Sequence, residues 1–174
     1  MTAQTTQPAS LPWLEKLVAI PTVSGSSNLE LIELLEAEFG RYGYSGVRTY
    51  NEDRTRANLF ITVPAANGTT RGGLVLSGHT DVVPVAGQDW ASDPFTLRVE
   101  GTRGYGRGVC DMKGFIAVAL WLLPRVAEAK LRVPLHFAFS YDEEIGCVGA
   151  PSLIEEFVAR DLAPEYAIVG EPSS

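Results

Sequence analysis

From residue 73 onward the chain alternates short apolar runs with helix-length segments, and this pattern restricts the fold more than any other feature. GLVLSG (73–78), VPLHFAFS (133–140) and EYAIVG (165–170) are each long enough for a strand. Between them lie FIAVALWLL (115–123), inside a segment of helical character over 112–129, and SLIEEFVAR (152–160). Strands separated by helices favour an α/β domain with a largely parallel sheet. Upstream, LPWLEKLVAI (11–20) reads as a helix with Pro12 in its first turn. Ser27 with Glu30 forms a capping-box pattern ahead of Leu31, Leu34, Leu35 and Phe39, and glycines 40 and 43 close that helix. GVRTY (46–50) and NLFITVP (58–64) read as strands. Residues 84–108, rich in Gly, Pro and Asp, are expected to be mostly loop, and Pro124 to kink or shorten the helix that contains it.

The chain of 174 residues is the length of about one domain. Residues 1–9 read as a flexible tail. A net charge of −7 argues against a nucleic-acid surface, which shows a basic patch. The N-terminus has no export-signal pattern, and the nine-residue run 115–123 falls short of the roughly 20 residues that span a bilayer. Two cysteines, Cys110 and Cys147, do not make a disulfide framework, so a reduced, cytoplasmic setting is expected.

Each of the three apolar runs leads into metal-competent side chains. The first reaches His79, with Asp81 two residues on; the second reaches Glu143 and Glu144; the third reaches Glu171. Asp111 stands just before the apolar helix. Singly these are ordinary: a strand-end His is often structural, a Glu pair is often solvated, and Asp111 fits a helix N-cap. Their repetition at three strand ends is not ordinary. In an α/β sheet, ligands sit beyond the carboxyl ends of the strands. Five carboxylates there repel one another unless a cation compensates them. Mixed imidazole and carboxylate ligands suit zinc, and less decisively cobalt or manganese, with two ions bridged about 3.5–4 Å apart as one arrangement.

Other chemistries lack their signatures. In GTRGYGRGVCDMKG (101–114), Val109 occupies the place of the third glycine of a dinucleotide fingerprint, and no Gly-Lys-Ser/Thr follows. Neither a Gly-x-Ser-x-Gly elbow nor His-Glu-x-x-His occurs. His136, between Leu135 and Phe137, reads as structural. Cys110 and Cys147 flank the acids, and thiolates bind zinc, but the carboxylates already suffice.

SGHTDVVP (77–84), GRGVCDMKG (106–114), SYDEEIGCVGA (140–150) and VGEP (169–172) resemble, in this order, the metal-site motifs of the two-metal amidohydrolases. That metallopeptidase-like family includes acetylornithine deacetylase, succinyl-diaminopimelate desuccinylase, aminoacylase and carboxypeptidase G. The likeness runs from about residue 10 to 174, and SYDEEIGCVGA and GQDWASDPF (87–95) are most similar to the deacetylase branch. The resemblance implies a three-layer α/β/α, zinc-exopeptidase-like catalytic domain with a largely parallel mixed sheet. It implies that His79 and Glu171 bind a first metal, Glu144 a second, and Asp111 both. Asp81 would orient His79, and Glu143 would be the general base. A cis Asp111–Met112 bond is implied too. The substrate would be a small N-acyl amino acid, N2-acetyl-L-ornithine first and the succinyl-diaminopimelate analogue second. Members of the family are about twice as long, with an inserted domain for dimerisation and closure and a further His ligand. The 174 residues are therefore expected to be the N-terminal part of such an enzyme, with an incomplete sheet and second site. A non-catalytic metal-binding remnant, or one subunit of a split enzyme, is the alternative.

Overall fold

The structure, a computed structural model, describes residues 7–173; most of the tail expected over 1–9 lies outside the described residues. Two helices come first, α1 (Leu11–Val18) and α2 (Leu29–Gly40). Strands β1 (Gly46–Tyr50), β2 (Ala57–Val63), β3 (Leu74–His79), β4 (Arg98–Glu100) and β5 (Arg103–Tyr105) follow. The chain then alternates through α3 (Lys113–Glu128), β6 (Leu135–Ser140), α4 (Ala150–Ala159) and β7 (Tyr166–Val169).

Five strands form one sheet in the order β1-β2-β6-β3-β7. β3 is parallel to both β6 and β7, whereas β2 is antiparallel to both β1 and β6. The sheet is thus mixed, as the resemblance implies, with a parallel β6-β3-β7 half beside the antiparallel β1-β2-β6 half. The antiparallel β1-β2 pairing follows from its connection, residues 51–56, which is too short for a crossover helix.

The chain moves one way across the sheet from β3 to β6 and back the other way from β6 to β7. Crossovers of one hand then need opposite faces. α3 accordingly packs with α1 and α2 over Leu59, Ile61, Leu76, Phe137 and Phe139, while Leu153 of α4 joins Phe60, Val75 and Ala138 on the other face. This gives three layers. β7 is the outer strand, and Tyr166, Ile168 and Val169 are about half exposed or more. It has no partner on its outer side among the described residues, as expected of a partial α/β domain.

Two local expectations are corrected. The capping box does not form: Asn28 occupies the N-cap without a capping bond. Its side chain bridges the Ala57 backbone and Thr80 Oγ1 instead, because a buried amide needs those partners. Pro124 does not shorten α3, which continues to Glu128 with Leu120, Leu123 and Val126 buried on one side. Residues 84–108 are mostly loop, as expected, with the small β4-β5 hairpin inside them. His136 is structural: its Nε2 donates to the Gly72 carbonyl and its Nδ1 accepts from Thr62 Oγ1, each at 2.9 Å. Among the described residues no helix is long and apolar enough to cross a membrane.

Candidate metal centre

Because β6, β3 and β7 run parallel and adjacent, their carboxyl ends present His79, the 142–147 turn and Glu171 side by side. His79 is the last residue of β3 and only 1 % exposed. Glu171 follows β7 by two residues. Gly170 makes that approach feasible, since a Cβ there would fall 2.0 Å from the Phe115 ring. Asp111 enters from the loop before α3, and its bond to Met112 is cis.

His79 is the centre of the arrangement. Its Nδ1 donates to the Asp81 backbone carbonyl at 2.9 Å, with the Asp81 carboxylate at 3.5 Å. That leaves Nε2 facing Asp111 Oδ1 at 3.0 Å and Glu171 Oε1 at 3.6 Å. Ligand atoms of His79, Glu143 and Glu171 lie within 4.8 Å of one another, as do those of His79, Asp111 and Glu144. All six residues singled out in the sequence therefore meet at one place. Asp111 and Glu171 keep 46 % and 41 % of their side chains exposed, so the site is open on that side.

Burial alone would lower the His79 pKa, but the carboxylates of Asp81, Asp111 and Glu171 outweigh it and push it up to about 9. Glu144 is raised by burial and then by the Asp111 charge, and Glu171 by burial and the neighbouring carboxylates, against the pull of His79. Burial would raise Asp81 too, but hydrogen bonds from His79, Ser24 and the Glu143 backbone hold it below the usual carboxylate range. The site thus holds excess negative charge that a proton on His79 only partly offsets. A divalent cation fits this donor set: one imidazole nitrogen with its other nitrogen anchored, surrounded by hard carboxylate oxygens.

β6 stops at Ser140, and residues beyond it form a turn in which Asp142 has φ 52 and Cys147 φ 56. The turn sends Glu143 toward His79 and Glu171, and Glu144 toward His79 and Asp111. Cys147 lies in neither group; its Sγ donates to Glu143 Oε1 at 3.3 Å. Asp111 is not the N-cap of α3, where Met112 stands.

Several supporting residues carry no local sequence signal. Ser24 Oγ donates to Asp81 Oδ2 at 2.7 Å, and the Glu143 and Glu144 amides donate to Asp81 at 3.0 and 3.3 Å. Asn58 bonds the Gly149 carbonyl and receives the Tyr141 amide, tying β2 to both ends of the turn. Lys113, fully buried, donates to the Leu17 and Ile20 carbonyls at 2.9 and 2.7 Å and fastens the segment after Asp111 to α1. A lysine two residues after Asp111, at the start of an apolar helix, is the one such signal the sequence offers.

Residues 75–174 match the family model described as peptidase family M20/M25/M40. The chain is 38% identical over 165 residues to acetylornithine deacetylase of Salmonella paratyphi B, and equally to that of Salmonella newport. The match covers 91% of this chain and 41% of each relative, so the chain spans about two fifths of the curated relatives' length. Among solved structures, human carnosine dipeptidase 1 is similar with TM-score 0.78 at 19% identity, covering 95% of this chain and 38% of that one. The M20 family metallo-carboxypeptidase Sso-CP2 from Sulfolobus solfataricus gives TM-score 0.79 at 22% identity, with 96% and 38% covered. At these identities the structural likeness speaks for the fold.

Proposed function

Because this chain belongs to peptidase family M20/M25/M40, we propose that its site holds divalent metal ions and serves amide hydrolysis of N2-acetyl-L-ornithine, giving L-ornithine and acetate. The observation that carries this reading is the buried His79, anchored at Nδ1 and turned through Nε2 to Asp111 and Glu171. The substrate assignment rests on the 38% identity to acetylornithine deacetylases.

In this reading His79, Asp111 and Glu171 hold one ion, and Asp111 with Glu144 holds part of a second site. Zinc suits the set best and cobalt next. Bound there, the ions supply Lewis-acid stabilisation of negative charge and lower the pKa of water. Asp81 keeps His79 in the tautomer that leaves Nε2 free. Glu143 takes the proton of the attacking water and hands it to the leaving amine, a role its place beside His79 and Glu171 permits. The thiol of Cys147 holds one of its oxygens.

Residues 10–174 form, in this account, the N-terminal part of a catalytic domain acting in the cytoplasm, in arginine biosynthesis. The chain spans about two fifths of the curated relatives' length, and this account leaves dimerisation and closure over the small N-acyl substrate to the rest of such an enzyme.

Zinc titration against a chelator, with acetate release from N2-acetyl-L-ornithine measured alongside, tests the reading. One tight ion per chain, lost in His79→Ala, with little turnover, is the expected result for this part alone. Two ions with full turnover would show it to be self-sufficient. No bound zinc would refute the metal reading. Release of succinate from N-succinyl-diaminopimelate in preference to acetate would refute the substrate.

A further inference from the structure

Asp142 is the acid of SYDEEIGC that belongs to neither metal-competent group, and it is the most buried of the three, with a side chain 2 % exposed. Its two oxygens are both used. Oδ1 accepts the Gly25 amide at 2.8 Å, and Oδ2 accepts from Arg56 Nη1. Its backbone carbonyl accepts the Val148 amide at 3.0 Å, which closes the turn. With φ 52 it occupies the left-handed region, which Asp tolerates better than most residues. The next two amides, of Glu143 and Glu144, both donate to Asp81. The loop that supplies Gly25 also supplies Ser24 to Asp81. The turn bearing the two glutamates is therefore held from behind through Asp142 and from beneath through Asp81. Arg56, just before β2, has a buried Nε with no partner.

We propose that Arg56 and Asp142 are positioning residues: a clamp that sets the direction of Glu143 and Glu144, and so the metal affinity of the site, without touching metal. This rests on the metal reading above.

The sign of the effect separates positioning from charge. Removing the Arg56 cation from an acidic site would, by Coulomb attraction alone, tighten binding of a divalent cation. Releasing the turn weakens it. Residues that orient metal ligands from outside typically change affinity by about 10–100-fold when removed.

The test is Co2+ affinity of the 174-residue chain, measured by chelator competition and by the visible absorption of the bound ion. Thermal unfolding is recorded on the same samples. Arg56→Met is expected to weaken Co2+ about 10–100-fold and alter the absorption, with Arg56→Lys recovering part of the loss. Arg48→Met is the control. It breaks another half-buried ion pair, with Glu36, between β1 and α2. It is expected to lower the melting temperature and leave Co2+ affinity unchanged. Asp142→Asn, which keeps an acceptor for Gly25, serves if Arg56→Met does not fold, and is expected to weaken Co2+ as well. Unchanged or tighter Co2+ binding in Arg56→Met, or unchanged binding in Asp142→Asn, overturns the clamp. Loss of affinity in Arg48→Met in proportion to its loss of stability overturns it too, by reducing it to general destabilisation. Absence of Co2+ binding by the unsubstituted chain overturns the metal reading and the clamp with it, and is seen before any variant is made.

Discussion

Asp81→Ala removes the acceptor on which the site's supporting bonds converge. Asp81 is 3 % exposed, so water does not readily replace it. Its carboxylate accepts the Glu143 amide at 3.0 Å, the Glu144 amide at 3.3 Å and the Ser24 hydroxyl at 2.7 Å. Ser24 retains the Val82 carbonyl as a second acceptor, at 3.2 Å, so two backbone donors are left without partners. At about 1–3 kcal/mol for each unsatisfied buried donor, the loss is about 2–6 kcal/mol. In a chain of this size, the lower figure already moves the thermal midpoint by at least about 4 °C. His79 keeps its bond to the residue-81 backbone carbonyl, so the effect falls mainly on the 142–147 turn. Circular dichroism melting in the presence of a chelator removes any contribution from metal. Asp81→Asn keeps one oxygen acceptor and is expected to lose about half as much. A melting temperature for Asp81→Ala within about 2 °C of the unsubstituted chain would show that the turn is held by something else.

Three further outcomes follow from the same contacts. In the metal-free chain the His79 pKa is raised from 6.5 to about 9, so its stabilising contribution is complete below 6.5 and is lost as pH rises through 9. Urea unfolding across that window, with and without chelator, should show the loss in the metal-free chain and not in His79→Ala; identical pH slopes would contradict it. Burial lowers the Lys113 pKa from 10.5 to about 8, so its contribution is complete above 10.5 and is lost as pH falls through 8. Lys113→Met should flatten that part of the stability–pH curve, and an unchanged curve would remove Lys113 as its source. Phe139→Ala empties a fully buried place between Phe39 and Phe137 and should cost about 3–5 kcal/mol by urea titration, against a contradicting value below about 1.

What the sequence revealed and what it concealed divide by the range of the interaction. Apolar runs such as LHFAFS mark strands because a strand covered on both faces has no polar side to alternate. The alternation of strand and helix marks the β3-α3-β6-α4-β7 half, and with it the convergence of His79, Glu143, Glu144 and Glu171. The antiparallel placement of β2 beside β6 is not marked, because Leu59 pairs with Phe139 eighty residues away and no local turn imposes it. The β4-β5 hairpin is concealed by its length: three-residue strands rich in Arg and Gly carry no hydrophobic period. Ser27 and Glu30 have the right spacing for a cap, yet the need of buried Asn28 to reach Ala57 and Thr80 decides the local conformation. At the site, residue types are readable but directions are not. Arg56 and Asp142 meet across 86 positions, and only the folded chain brings them together.

The central claim is that His79 Nε2 is a metal ligand. Crystals of the chain soaked in zinc, with anomalous scattering recorded at the zinc edge, test it directly. A peak about 2.0–2.1 Å from His79 Nε2, with Asp111 and Glu171 oxygens completing its contacts, is the predicted result. An anomalous map with no peak at His79, or with zinc held only by side chains away from β3, would contradict the account.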